Sequence, residues 1–473
     1  MWYFSLLFLA VTVDRSHALL LKGSIRQSND TNIRSINANG TLASVASQYI
    51  TNITVNGHNL RLLLDTGSSD IFIVSPSKLA FNNTGINITN SYGTGKVTGT
   101  IGFASMQIGN STVNNQAFNN ATSVQTSEKL GPGVDGLIGV SFDGLSTSPI
   151  MATLSESDQD PALGEPFLYN IFDQTPEQNN LIGISLSRTD DLEGSADASF
   201  TINEIDEAYA EVVKAPLLPL FPGNNKRWSI MVDGISVDGV NISLPTSAVS
   251  GAPDGKIVTV LDTGNPTGIL PEQIVNDIYS RIPGAQSRVL ADQPPNSWTV
   301  PCNTTTVVTV YFGGQPFPIH PLDLSEVGIE GGVVTCIGTF FAAPTSSGFD
   351  GIFGANVMRN FYSVLHFGDA ISRSPTGNAS MQLLSQTDAT AAVADVPNVR
   401  MPRISALRNT TSSTNSEGKI LTGALGIGHP ASPADSPDPG ISSGMGALAL
   451  DGRSHYIPRF RYLRRRHGEM DSG

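Results

Sequence analysis

The chain has 473 residues, a formal charge of −14, 47 glycines, 29 prolines and only two cysteines. That length exceeds what one hydrophobic core ordinarily supports, so two lobes with accessory segments are expected. The first 387 residues carry 17 basic against 33 acidic groups, which argues against a nucleic-acid partner and fits either work at low pH, where protonated carboxylates repel less, or simple solubility.

Trp2 to Val13 is uncharged and apolar, and Ser16 and Ala18 stand in the small-x-small arrangement of a signal peptidase site. Residues 1–18 therefore read as a secretory signal, too short to prefer a membrane span and lacking a preceding basic residue. Eleven Asn-x-Ser/Thr sequons, among them Asn52, Asn82, Asn87, Asn110, Asn120, Asn241 and Asn303, gain meaning only in the secretory pathway. Residues 19–44 form a short stretch between signal and body, read as a propeptide with Lys22, Arg26 and Arg34. From Tyr49 to about Leu384 the pattern is short aliphatic or aromatic runs broken by Gly, Asn, Pro and Ser, such as Ile50–Val55, Leu60–Leu64, Ile71–Val74 and Val307–Phe312. This predicts a mostly β body, with Glu272–Ile282 after Pro271 as its clearest helix.

Within that body one tripeptide occurs twice, Asp65-Thr66-Gly67 and Asp262-Thr263-Gly264, each entered through a greasy run, Leu62–Leu64 and Val258–Leu261. Two such tripeptides arise by chance on the order of a few per cent of the time, before the aliphatic runs are required. A strand buried on both faces reads as continuous Leu and Val, and a glycine two residues past the Asp permits a tight turn. A second element follows each tripeptide: Asp135-Gly136-Leu137-Ile138-Gly139 and Asp350-Gly351-Ile352-Phe353-Gly354. Internal duplication is the economical reading, with lobes at 45–215 and 216–387 joined through the Pro-rich stretch near 212–224. Cys302 and Cys336 are an even count in an oxidising compartment and are expected to pair; neither has a partner at metal-ligand spacing. Beyond residue 388 strand patterning gives way to Ala, Ser, Gly and Pro, so 388–473 reads as a disordered low-complexity tail ending near Arg464–Arg466. It contains no apolar run of anchor length.

These residues together resemble the pepsin-like aspartic endopeptidases, secreted fungal members in style, over most of residues 45–386. The resemblance rests on Leu63–Ser69, on Tyr92-Gly93-Thr94-Gly95 where that family has its flap hairpin, on Leu261–Gly264 and on the two Asp-Gly elements. Arg227-Trp228 before Ile235–Gly239, Phe200–Asp206 and the position of Cys302 and Cys336 agree as well. It implies a bilobal double β-barrel with a central cleft and short helices, and no cofactor or metal. Asp65 and Asp262 would hold one water and share a proton, one acting as base while the other donates to the scissile carbonyl oxygen, with no covalent intermediate. Thr66 and Thr263 would brace the two loops. Gly67 and Gly264 would bring backbone N–H groups to the carboxylates, Ser68 would bond Asp65, and Asn265 would support Asp262. Tyr92, with Gly93 and Thr94, would close over a protein or peptide substrate. The resemblance also implies a monomer, secreted or else vacuolar.

The chain departs from the family pattern at Asn265-Pro266, where two hydroxyl residues are usual, at Gly354-Ala355-Asn356, where an Asp often follows, and at Phe72, which replaces a common tryptophan. Pro266 supplies neither a hydroxyl nor an N–H. A non-catalytic, peptide-binding protein of the same fold is therefore the competing expectation. A zinc hydrolase finds no support, since none of the seven histidines begins an H-E-x-x-H pattern.

Overall fold

The computed structural model describes residues 43–45 and 48–412, apart from 77–78, 127–129, 132, 187, 189–197, 224–225, 290–296, 331–332, 345–347 and 370–378. The chain is mostly strand with few short helices, as its alternating short runs and turn residues require. The signal 1–18, residues 19–42 and the basic run 464–466 lie outside the described residues.

The first half folds into one eight-stranded sheet from β1 (Ala43–Val45), β2 (Gln48–Val55), β3 (His58–Asp65), β4 (Ile71–Ile73), β5 (Asn82–Tyr92), β6 (Gly95–Ile108), β7 (Ser111–Thr126) and β8 (Gly136–Gly139), in the order β1-β2-β3-β8-β4-β7-β6-β5. Duplication is visible in the strand register. β3 runs parallel to β8 with Leu62, Leu63 and Leu64 opposite Gly136, Leu137 and Ile138. In the second half Thr259, Val260 and Leu261 lie opposite Gly351, Ile352 and Phe353, again in parallel. β4 is antiparallel to β8 and parallel to β7; Gly268–Leu270 repeats this against Gly351–Phe353 and Phe340–Ala342. Asp135 and Asp350 serve the same purpose in each half: Asp135 accepts the Arg61 N–H at 2.8 Å, and Asp350 the Val258 N–H at 2.8 Å.

A five-stranded sheet joins the halves, with Ser199–Ile202, Leu181–Ser185, Phe361–His366, Ser380–Ser385 and Leu218–Pro219 as neighbours in that order. Above it Trp228 packs at 4.3 Å from Phe142 and 4.8 Å from Phe367, ring centre to ring centre, and Trp228 Nε1 donates to the Val140 carbonyl at 3.3 Å. Trp228 and Phe142 come from opposite halves, so the aromatic cluster fastens them with apolar area and ring contacts together. The expected helix forms at Glu272–Ser280, burying Ile274, Val275, Ile278 and Tyr279. Cys302 and Cys336 are bridged, with Cα atoms 5.3 Å apart and a separation of 34 residues; closing a loop of this size limits the unfolded chain by about 3–4 kcal/mol.

The expectation of disorder from residue 388 is corrected at its start: Ala389–Ser412 is helical and docks on the second half. Its composition concealed a four-residue period, because the inward stripe Ala392, Val396, Arg400, Ile404 and Leu407 has a cation at its centre. Arg400 is 2% exposed. It donates to the Leu322 and Ser325 carbonyls at 3.1 and 3.0 Å and to Ser325 Oγ at 3.0 Å, so a buried guanidinium satisfies carbonyls that would otherwise lack donors. Replacing Arg400 with Ala strands those acceptors; we expect urea denaturation followed by tryptophan fluorescence to show a loss of about 2–4 kcal/mol.

Candidate active site

Leu62, Leu64 and Leu261 are fully buried; the first strand ends at Asp65, and the second ends at Leu261, immediately before Asp262. Each acid is thus carried at the end of a rigid, doubly covered strand. The residue after each acid is a buried threonine, and the two threonines exchange hydrogen bonds across the pseudo-twofold. Thr66 N–H donates to Thr263 Oγ1 at 3.1 Å, and Thr263 N–H donates to Thr66 Oγ1 at 3.0 Å. The hydroxyls pass their own protons onward, Thr66 Oγ1 to the Leu261 carbonyl at 2.8 Å and Thr263 Oγ1 to the Leu64 carbonyl at 2.7 Å. Every donor and acceptor in this four-bond ring is used.

The ring brings each carboxylate against the opposite loop. A methyl group on Gly67 would lie 2.6 Å from Asp262 Cγ, and one on Gly264 would lie 2.5 Å from Asp65 Oδ1 and 3.2 Å from Asp262 Oδ1. Only hydrogen fits at either glycine. Gly67 N–H donates to Asp65 Oδ1 at 2.8 Å, and Gly264 N–H to Asp262 Oδ1 at 2.9 Å. Ser68 Oγ donates to Asp65 Oδ2 in a short hydrogen bond. At the corresponding place in the second loop, Asn265 turns its Oδ1 to its own chain, accepting from Thr267 N–H at 3.1 Å and Thr267 Oγ1 at 3.2 Å. The loop still holds its position, because the Asn265 and Pro266 carbonyls accept from Ala355 and Asn356 N–H at 2.7 and 3.2 Å.

Tyr92 and Gly95 pair across the turn Gly93-Thr94, making the β5–β6 hairpin expected there. Tyr92 packs on Phe72 at 6.0 Å and joins an apolar cluster of Ile50, Leu63, Phe72, Val97, Val134 and Leu137 that is separate from the main core. Its hydroxyl is buried and has no hydrogen-bond partner among the described residues; Phe72 beside it has no donor to offer. Burial first, then the charges of Asp65 and Asp70, hold this phenol well above its ordinary range, so it stays a donor. Cys336 lies in a strand of the second half's own sheet and Cys302 in the turn after its neighbour Ser297–Val300, and the pair serves the fold.

The family model described as eukaryotic aspartyl protease matches residues 75–373, more than half of the chain, beginning just beyond Asp65 and including Asp262. The chain belongs to the eukaryotic aspartyl protease family. It is 25% identical over 356 residues to Major aspartyl peptidase 1 of Cryptococcus neoformans var. grubii, an alignment spanning 70% of this chain and 68% of that protein. With aspartic-type endopeptidase ctsD of Aspergillus fumigatus it shares 27% over 344 residues, 72% of this chain and 61% of that one. With aspartic protease pepA of Arthroderma gypseum the figures are 28% over 279 residues, 54% and 62%. The chain thus spans about three-fifths to two-thirds of the length of these relatives.

One buried acid beside these loops has no counterpart among the residues expected from the sequence. Asp70, 4% exposed, accepts from Ser148 Oγ at 2.5 Å, from Ile150 N–H at 2.8 Å and from Asn90 Nδ2 at 3.0 Å. It therefore ties the strand after the first acidic loop to the helix Pro149–Glu156 and to β5 of the hairpin, and Asn119 Nδ2 extends the chain to Asn90 Oδ1 at 2.7 Å. A charged residue lodged immediately before the apolar Ile71–Ile73 is the signal that could have marked it.

Two expectations follow. Thr263→Val conserves volume but removes one acceptor and one donor from the ring, leaving the Thr66 N–H and Leu64 carbonyl buried and unpaired; chemical denaturation is expected to show a loss of about 2–4 kcal/mol. Burial raises the Asp70 carboxyl to about 6, opposed by its hydrogen bonds from Ser148, Ile150 and Asn90. A carboxyl raised in the folded state contributes stability that is complete below the unfolded value near 3.8 and is lost as pH rises through about 6. Melting temperature should accordingly fall between these pH values, and Asp70→Asn should flatten the slope in a pH series of thermal scans.

Proposed function

We propose that this protein is an aspartic-type endopeptidase acting at acid pH, in which Asp65 and Asp262, delivered by lobes 45–215 and 216–387, activate one water between them. The observation that carries this is the reciprocal seating of each carboxylate against the other loop's glycine. Two acids seated this way can act as a pair, one as base and the other as acid. The ionised member takes a proton from water as the oxygen attacks the scissile carbonyl, while the protonated member donates to the carbonyl oxygen. The geminal diol then collapses as the amine leaves with a proton, and no bond to the protein forms. Gly67 and Gly264 N–H groups fix the carboxylate orientations. The Tyr92 hydroxyl, buried and without a partner among the described residues, would donate to a peptide once the hairpin shifts to admit it. The substrate is a protein or peptide, the acting form is a monomer, and the route is secretory, to the exterior or to a vacuole.

A second reading is favoured by one asymmetry. Ser68 donates to Asp65, whereas Asn265 spends its oxygen on Thr267. If this different arrangement of the second loop disables the pair, the protein binds peptides without cutting them. Digestion of casein at about pH 3–5, with and without pepstatin, separates the two. We expect pepstatin-sensitive cleavage, lowered about 10²–10⁴-fold in Asp65→Asn and in Asp262→Asn. Peptide binding with no cleavage would establish the second reading.

A further inference from the structure

The sequons sort sharply once placed on the fold. Asn82, Asn87, Asn110, Asn241 and Asn303 are exposed, while Asn52 and Asn120 are half-buried within the large sheet. Asn110 lies in the β6–β7 turn and Asn303 in a turn beside Cys302, ordinary places for a sequon. Asn82 and Asn87 are different, because both stand on β5.

β5 is the last strand of the eight-stranded sheet and, among the described residues, pairs only with β6. It is 11 residues long, with the sequence Asn82-Asn83-Thr84-Gly85-Ile86-Asn87-Ile88-Thr89-Asn90-Ser91-Tyr92. A long open edge of this kind invites pairing with another chain, and proteins ordinarily blunt such edges with charge, proline, a bulge or a cover. This strand has no charged residue and no proline. It has a bulge, where the register shifts between Asn83 and Asn87 around the left-handed Gly85, but β-pairing resumes from Asn87 through Tyr92. The two sequons bracket the bulge, and the second begins the resumed stretch that leads to the hairpin tip.

We propose that Asn82 and Asn87 carry N-linked oligosaccharides that cover the free edge of β5. In the secretory pathway the side-chain Nδ2 forms a bond to the anomeric carbon of a lipid-diphosphate-linked oligosaccharide; the bond from that carbon to the diphosphate breaks, the lipid diphosphate leaves with the electron pair, and Nδ2 gives up one proton. The product is a bulky, hydrated group at two points along the edge, which leaves the Tyr92 face of the hairpin open to substrate. The inference rests on the secretory route and is independent of whether the acids cleave peptides.

The test uses the full chain expressed in a eukaryotic secretory host. Peptide mapping after peptide-N-glycosidase treatment in heavy-oxygen water reads each occupied asparagine as a labelled aspartate. We expect label at Asn82 and Asn87, with Asn110 and Asn303 as reporters of secretory passage. An Asn82→Gln/Asn87→Gln variant should then self-associate in light scattering, its monomer fraction falling at least about twofold relative to an Asn110→Gln/Asn303→Gln control with the same number of sites removed. Label at Asn110 or Asn303 with none at Asn82 and Asn87 overturns the inference alone. No label anywhere overturns it together with the secretory route. Occupied sites whose removal leaves the variant as monomeric as the control overturn the covering role.

Discussion

The four-bond ring between Thr66 and Thr263 is the constraint on which the site depends. The proposed reaction needs two acids from opposite halves near one another, and neighbouring carboxylates repel unless something else holds the backbones together. The ring supplies that hold with neutral groups. Each threonine both accepts an N–H and donates to a carbonyl of the other strand, so neither loop can shift without stranding buried polar atoms. The glycines then decide how close the carboxylates come, because any side chain at Gly67 or Gly264 would occupy the opposite carboxylate's place.

Carboxylates other than Asp65 and Asp262 serve as structural acceptors. Asp135 and Asp350 accept strand N–H groups at equivalent points in the two halves, while Asp70 has no such twin and gathers donors from a helix, a serine and the hairpin strand. The first half therefore has a tie through an acid between the Asp65 loop and the hairpin strand. A second polar cluster is built on cations and bridges the halves: Asp323 pairs with Arg188 of the first half at 2.8 Å and with Arg359 at 3.3 Å, and its carboxyl is lowered, burial being outweighed by those neighbours. Near it, burial and then Arg188 push His320 down to about 4. Loss of the proton is unfavourable at Asp70 and gain of one at Asp323 and His320, which restricts the pH range over which both clusters are at ease.

The Asp-Thr-Gly loops, the Asp-Gly elements, the hairpin at Tyr92 and the mostly β body were legible because each is local: an apolar run with a glycine at a required turn, or a pair of strands joined by a tight one. What escaped was set by partners distant in the chain. Asp70 looks like any polar residue until Ser148 and Asn90 are brought to it. The helix Ala389–Ser412 escaped because its inward stripe places Arg400 where an apolar residue would have announced the period, and because Pro397 and Pro402 argue against a helix. Asn265 illustrates the reverse: the missing hydroxyl was evident from the tripeptide's neighbours, but that its oxygen would turn to Thr267 was a matter of loop geometry alone.

The sheet that joins the halves has a consequence for synthesis. Leu181–Ser185 takes Phe361–His366 as its neighbour, with Ile184 opposite Ser363, so a strand made early waits for one made nearly at the end. While the ribosome is still translating the second half, the early strand has one flank without its native mate, and its backbone is open to wrong pairing. Quality control in the cell therefore matters most in that interval, before residue 366 has emerged and the base of the molecule can close.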